Sequence, residues 1–216
     1  MPLFSKKSWG DEQTRERMVE VQLRGRGIGD QRVLDAFLQV PRHRFVSVQY
    51  QNEAYADYPL PIGSGQTISQ PYIVAAMVEA LGLTPESKVL EIGTGCGYQT
   101  AILAEVAAEV FTIEIIPGLA VRAQALLESL EYPAVHFRTG DGSLGWPEAA
   151  PFDGIVVSAA PSRVPDPLLE QLDDDGCCVI PVGDTQQLLK RLRRDGDSWK
   201  AETMMAVRFV PMTGPR

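Results

Sequence analysis

The stretch Glu91-Ile92-Gly93-Thr94-Gly95-Cys96-Gly97-Tyr98 decides the fold. It follows a short apolar run at 89–92 and leads into a helical pattern at 98–108, so its glycines stand where a strand hands over to a helix. Glycine at alternate positions lets the backbone turn sharply and approach a ligand with no side chain in the way. A dinucleotide fingerprint would be G-x-G-x-x-G, its third glycine letting the helix pack close with its N-terminus facing a pyrophosphate. Here Tyr98 holds that place and the glycine comes one residue early, at Gly97, which weakens the case for a nicotinamide-dependent oxidoreductase. An ordinary glycine-rich turn without a ligand is the plain alternative.

Working outward, short apolar runs at 89–92, 110–115, 135–138, 154–158 and 177–182 alternate with helical patterns at 98–108, 117–130 and 165–172. That alternation predicts a parallel sheet with crossover helices on both faces. Two further strands, near 188–192 and 203–210, are joined through Asp195-Gly196-Asp197, a hairpin signal that closes the sheet with an antiparallel pair. The expected fold is α/β and Rossmann-like, with a mostly parallel seven-stranded sheet and a small N-terminal helical subdomain. Upstream, helical spacing between Asp11 and Val40 suggests two short helices ended by Pro41, with residues 1–10 loose. The stretch holding Pro59, Pro61, Gly63 and Gly65 has loop composition, and Ser69-Gln70-Pro71 opens a helix running to Leu81. Residues 1–70 therefore form a helical segment and loop, and 71–216 the cofactor-binding domain, within one compact unit.

Two acids downstream raise the ligand-binding case. Glu114 ends the second strand of the sheet 21 residues after Gly93, close to the offset of about 20 at which an acid accepts hydrogen bonds from ribose hydroxyls. Asp141-Gly142 follows the third strand, where a carboxylate can take an adenine amino group and a glycine leaves room for the ring. Three features at the carboxyl ends of three successive strands lie where open α/β sheets bind ligands.

Composition narrows the partners. The net charge of −8 opposes a nucleic-acid backbone, and the slight basic excess of residues 1–50 suits a solvated helical face. No apolar run reaches the roughly 20 residues of a membrane span, and the first seven residues lack the apolar block of a secretory signal. Cys96, Cys177 and Cys178 form no C-x-x-C, and His43 and His136 no ligand spacing, so neither disulfide nor metal is expected and both histidines are assigned to structure. A monomeric cytoplasmic protein, with no nucleic-acid or membrane partner, is the expectation.

The E-x-G-x-G-x-G order resembles the first motif of class I methyltransferases. Over nearly its whole length the chain is similar to bacterial protein-L-isoaspartate O-methyltransferases. The matching stretches are Val40-Pro41-Arg42-His43-Arg44-Phe45-Val46, Leu60-Pro61-Ile62-Gly63-Ser64-Gly65-Gln66-Thr67-Ile68-Ser69-Gln70-Pro71, the glycine loop, Gly140-Asp141-Gly142, Pro151-Phe152-Asp153, Ser158-Ala159-Ala160-Pro161 and Val207-Arg208-Phe209-Val210-Pro211. The glycine loop is common to many methyltransferases, whereas the Leu60 to Pro71 block is specific.

The resemblance implies methyl transfer from S-adenosylmethionine to the free carboxylate of isoaspartyl residues in damaged peptides and unfolded protein segments. The ester then closes to a succinimide, which begins repair. It also implies Ser69 as the active-site residue, although a serine ahead of Pro71 equally fits a helix N-cap. Thr67, Ile68, Gln70, Glu91, Gly93, Thr94, Gly95, Gly97, Glu114, Asp141, Gly142 and Thr213 are carried over as cofactor-binding, with no metal. The strand 207–210 is a candidate edge for an added peptide strand. An isoaspartyl carboxylate, with a pKa near the usual value of about 4, is already ionised at neutral pH and needs no general base. The rival functions are methylation of another acceptor such as tRNA adenine and a noncatalytic domain that binds the same cofactor.

Overall fold

Two helices lead the chain. In the computed structural model, which describes residues 7–196 and 198–214, α1 (Lys7–Arg17) continues into a π turn at Met18–Leu23 and a 3-10 turn at Arg24–Arg26. The first helix thus begins at Lys7, earlier than the expected start near residue 11, and residues 1–6 lie outside the described residues. Asp30 caps α2 (Gln31–Gln39) by accepting the Arg32 backbone N–H at 2.9 Å. The helix stops short of Pro41, which disfavours helical φ/ψ at Val40. Its buried face, Val33, Leu34, Ala36 and Phe37, shows the spacing of one helix stripe.

The stretch read as loop is instead a hairpin, β1 (Leu60–Gly63) and β2 (Gln66–Ile68). Ser64 and Gly65 both take positive φ, 53° and 71°, as the two central residues of a type I′ turn must. Next come α3 (Pro71–Leu81), β3 (Lys88–Ile92), α4 (Tyr98–Val106), β4 (Glu109–Glu114), α5 (Pro117–Ser129), β5 (Val135–Thr139) and β6 (Phe152–Val157). The chain ends with α6 (Asp166–Glu170), β7 (Leu172–Val182), β8 (Gln187–Asp195) and β9 (Ser198–Val207).

Seven strands make one sheet in the order β5-β4-β3-β6-β7-β8-β9, parallel through β7 and antiparallel at β7–β8 and β8–β9. The expected antiparallel closure is present, although Asp197 of its turn lies outside the described residues. Three boundaries differ from the apolar pattern. β7 starts at Leu172 because that residue pairs with Phe152; the register then shifts so that Cys177 meets Gly154, and the exposed Asp173, Asp174 and Asp175 bulge outward. That early start shortens α6 to five residues. β9 ends at Val207, where the chain leaves the ladder.

Successive strand residues point to opposite faces, and this sorts the core. Val89, Val156, Cys177 and Val179 pack with α2, α3 and α4 in one layer that also takes in Met18, Val19 and Leu23. Leu90, Ile155, Val157, Cys178 and Ile180 pack beneath α6 in the other. One continuous apolar cluster therefore joins the N-terminal helices to the sheet, and full burial of a side chain such as Leu34 or Phe37 contributes about 1.5–3 kcal/mol. The chain enters the sheet at β3, moves outward to β5 and returns across β3 to β6, so a crevice opens at the carboxyl ends of β3 and β6.

Candidate active site

That crevice is where the glycine loop sits. Gly93, Gly95 and Gly97 all take positive φ, at 95°, 59° and 88°, a conformation that side chains resist. The Gly93 N–H donates to the Ile113 carbonyl at 2.8 Å, tying the loop to β4, and Gly97 caps α4. A Cβ on Gly97 would lie 2.9 Å from Leu127 Cδ1, so close packing of α5 also requires that glycine. Tyr98, the residue that departs from the dinucleotide fingerprint, is fully buried, with its ring edge-on to Phe37 and Phe45. It anchors the N-terminal helices to the start of α4.

A cavity of about 700 Å³ opens over the loop. Thr67, Ile68, Ser69, Gln70, Gly93, Thr94, Gly95, Glu114, Gly142 and Thr213, all anticipated, lie in its wall. Glu114 holds the loop in place: one carboxylate oxygen accepts the Gly95 N–H at 2.8 Å and the other the Ile116 N–H at 2.9 Å. A carboxylate has about four acceptor positions, so two are left for ribose hydroxyls.

Four anticipated residues play other parts. Glu91 does not line the cavity; it is fully buried under the loop, where its Oε2 accepts the hydroxyls of Thr100 at 2.5 Å and Thr112 at 2.7 Å. Burial raises its pKa from 4.5 to about 7, against those hydrogen bonds. Asp141 stands beside the wall and accepts the Ser143 N–H at 2.9 Å as the cap of a 3-10 turn at Gly142–Leu144. Gly142 is in the wall, but its lack of a side chain serves packing: a Cβ there would overlap Ile92 Cγ2. Gly97 is likewise outside the wall, its part being the turn into α4.

On the opposite wall, β2 delivers Ser69 to the start of α3. Gln70 rather than Ser69 occupies the N-cap, and no side chain caps that helix, so the capping role weighed for Ser69 is not the one observed. The Ser69 carbonyl accepts from Arg42 Nη2 at 2.7 Å, and Gln70 Nε2 donates to Asp57 at 2.8 Å. Behind the loop, Gln99 Nε2 donates to Ser158 Oγ at 3.0 Å, joining α4 to the end of β6. Beyond β9, Gln187 takes both the Phe209 N–H and its carbonyl, and Ala160 donates to the Val210 carbonyl at 2.8 Å. The segment expected as a free edge strand is thereby tied down as the cavity's outer wall.

Arg42, Gln99 and Ser158 escaped attention as site residues. Ser158 has a signal in the sequence, because it closes the apolar run 154–158 and directly follows β6; nothing in the sequence marks Arg42 as buried. Neither histidine lines the cavity: His43 is bonded to the Tyr55 hydroxyl at 2.8 Å and His136 is stacked on Phe111.

The donor set suits an adenosyl group attached to an amino acid. The volume falls within the range of about 300–1,000 Å³ usual for small-molecule sites. Ile92, Ile113, Ile115 and Ile116 give an apolar wall beside Glu114, and the loop backbone lies open on the cavity side. Glu114 and Arg208 are the only charged residues in the wall among the described residues.

Relatives share this arrangement of chain. A protein-L-isoaspartate O-methyltransferase of Picosynechococcus is 58% identical over 93% of this chain and 90% of its own length. One from Klebsiella pneumoniae is 54% identical over 88% and 92%. A solved protein-L-isoaspartate O-methyltransferase superposes with a TM-score of 0.85 at 28% identity, over 93% of this chain and 66% of the other. A Plasmodium falciparum structure, named as a putative enzyme of the same kind in complex with S-adenosyl-L-homocysteine, has the same fold at a TM-score of 0.79 and 23% identity. With residues 13–216 matching the family model for protein-L-isoaspartate(D-aspartate) O-methyltransferase, the chain belongs to that family.

Proposed function

We propose that Ser69 and the glycine loop face each other across one cavity in order to bring an isoaspartyl carboxylate against a methyl donor. The activity is that of the family: methylation of the free carboxylate of isoaspartyl residues, which starts their repair. The donor is S-adenosylmethionine, which supplies an electrophilic methyl group on a positively charged sulfur. Thr94, Gly95 and Glu114 hold it, with Gly93 and Gly142 giving close approach and Asp141 reaching in from the rim.

The protein's share of the chemistry is positioning. Neither His43 nor His136 lines the wall, and Glu114 is engaged with the loop backbone, so the wall presents no general base among the described residues. None is needed for a carboxylate that is ionised at neutral pH. Ser69 orients that carboxylate by donating a hydrogen bond, with Thr67, Ile68 and Gln70 shaping its approach and Thr213 closing the far side. Residues 1–70 furnish the acceptor wall and 71–216 the donor wall. No helix among the described residues is long and apolar enough to cross a membrane, and we infer a cytoplasmic monomer acting on flexible peptides without nucleic acid.

The observation that supports this reading is that Ser69 and the glycine loop line the same cavity. Methyl incorporation into a synthetic isoaspartyl peptide is to be compared with its aspartyl twin and with bulk tRNA. Ser69→Ala should lower kcat on the isoaspartyl peptide about tenfold or more while leaving donor affinity within about twofold. Equal labelling of the two peptides, base-stable label in tRNA, or an unchanged kcat in Ser69→Ala would overturn it.

A further inference from the structure

Arg42 is fully shielded from solvent, at 0% exposure, a rare setting for a residue that is always charged. It lies on the 3-10 turn Arg42–Phe45, and its guanidinium reaches three separate segments. Nε donates to the Ala54 carbonyl at 2.7 Å, Nη2 donates to the Ser69 carbonyl at 2.7 Å, and the carbon between them lies 4.7 Å from the centre of the Tyr98 ring. Nη1 and the Tyr98 hydroxyl make no hydrogen bond of good geometry among the described residues, and the guanidinium and the hydroxyl attract each other. Two backbone carbonyls and a ring face repay little of what it costs to strip a cation of water, so stability alone is a poor reason for arginine here.

The geometry suits a clamp better than a brace. Tyr98 directly follows Gly97, the last glycine of the donor loop, while Ser69 lines the cavity. The planar fork therefore ties the Ser69 backbone to Ala54 while its face rests on Tyr98, which holds Ser69 beside the residue that follows the donor loop. Charge-assisted bonds of 2.7 Å are short and directional, which suits holding a backbone to a fraction of an ångström. Lysine, a single point charge on a flexible stem, cannot reproduce the two-carbonyl grip.

We propose that Arg42 is a positioning residue that fixes Ser69 relative to the donor loop and acts on the reaction through Ser69. It thus rests on the assignment of Ser69 above.

A double-mutant cycle separates the two ideas. Arg42→Lys should lower kcat on an isoaspartyl peptide about tenfold, with donor affinity by calorimetry changed less than about twofold. In a Ser69→Ala background the same substitution should change kcat by less than about twofold. Arg42→Gln, which removes the desolvated charge and is the less disruptive to folding, should show the same loss of effect, and assays at saturating donor keep each variant native. If Ser69→Ala is slow but the Arg42 effects are equal in both backgrounds, Arg42 is merely structural and the proposal falls alone. If Ser69→Ala has native kcat, the assignment of Ser69 falls and the proposal with it.

Discussion

Glu91→Gln isolates the electrostatics beneath the donor loop. The Glu91 carboxyl is completely enclosed, and the side chains of Thr100, Thr112 and Gln99 favour its charged form less than burial opposes it. Burial raises its pKa from 4.5 to about 7. A carboxyl with a folded pKa above its unfolded value binds its proton more tightly in the native state. Its contribution is therefore fully present below pH 4.5 and is lost as the pH rises through about 7. At about 1.4 kcal/mol per pH unit, the interval from 4.5 to about 7 corresponds to about 3 kcal/mol. Glutamine keeps the shape, stays neutral and leaves an oxygen to accept from Thr100 and Thr112. Urea unfolding from pH 5 to pH 9 should show native stability declining relative to Glu91→Gln, with a gap of about 3 kcal/mol in favour of the variant above pH 8. Parallel curves for the two proteins across that range, or a variant less stable at pH 9, would refute an enclosed carboxyl that resists ionisation.

Gly142→Ala should destabilise the protein by about 1–3 kcal/mol in denaturant unfolding, because its Cβ would overlap Ile92 Cγ2. Ile92→Ala in the same chain should relieve that strain, and a loss that Ile92→Ala does not reduce would place the cause elsewhere. Glu114→Gln replaces one acceptor oxygen with an amide nitrogen, so the Gly95 or Ile116 N–H loses its partner. Donor affinity by calorimetry should weaken about tenfold, and an unchanged Kd would remove Glu114 from the donor site.

Much of this was legible from periodicity. Apolar runs of strand length alternating with helical stripes announced the parallel sheet, and the loop at 93–97 located its binding crevice, because both follow from local geometry. The hairpin at 60–68 was hidden by short strands carrying proline and polar residues, which give too little alternation to register. The bulge in β7 was hidden too, since three consecutive aspartates read as a turn until Leu172 is seen to pair with Phe152. Glu91 lies beneath the cavity and not in its wall, as strand alternation allows: it shares a face with Val89, which packs against the helices, while Ile92 turns to the other side. Arg42 offered no such clue, because its burial depends on Ala54, Ser69 and Tyr98 converging from distant parts of the chain.

The apolar cluster that joins Met18, Leu34 and Phe37 to Val156, Val179 and Leu189 has a consequence for biogenesis. During synthesis α3 and α4 can cover the leading helices first, but the shared cluster stays open on its sheet side until Val156, Val179 and Leu189 have been made. Such exposed intermediates invite aggregation. A truncation before β7 should therefore yield a sticky fragment rather than a smaller working protein, and the nascent chain should depend on chaperones until its final strands emerge.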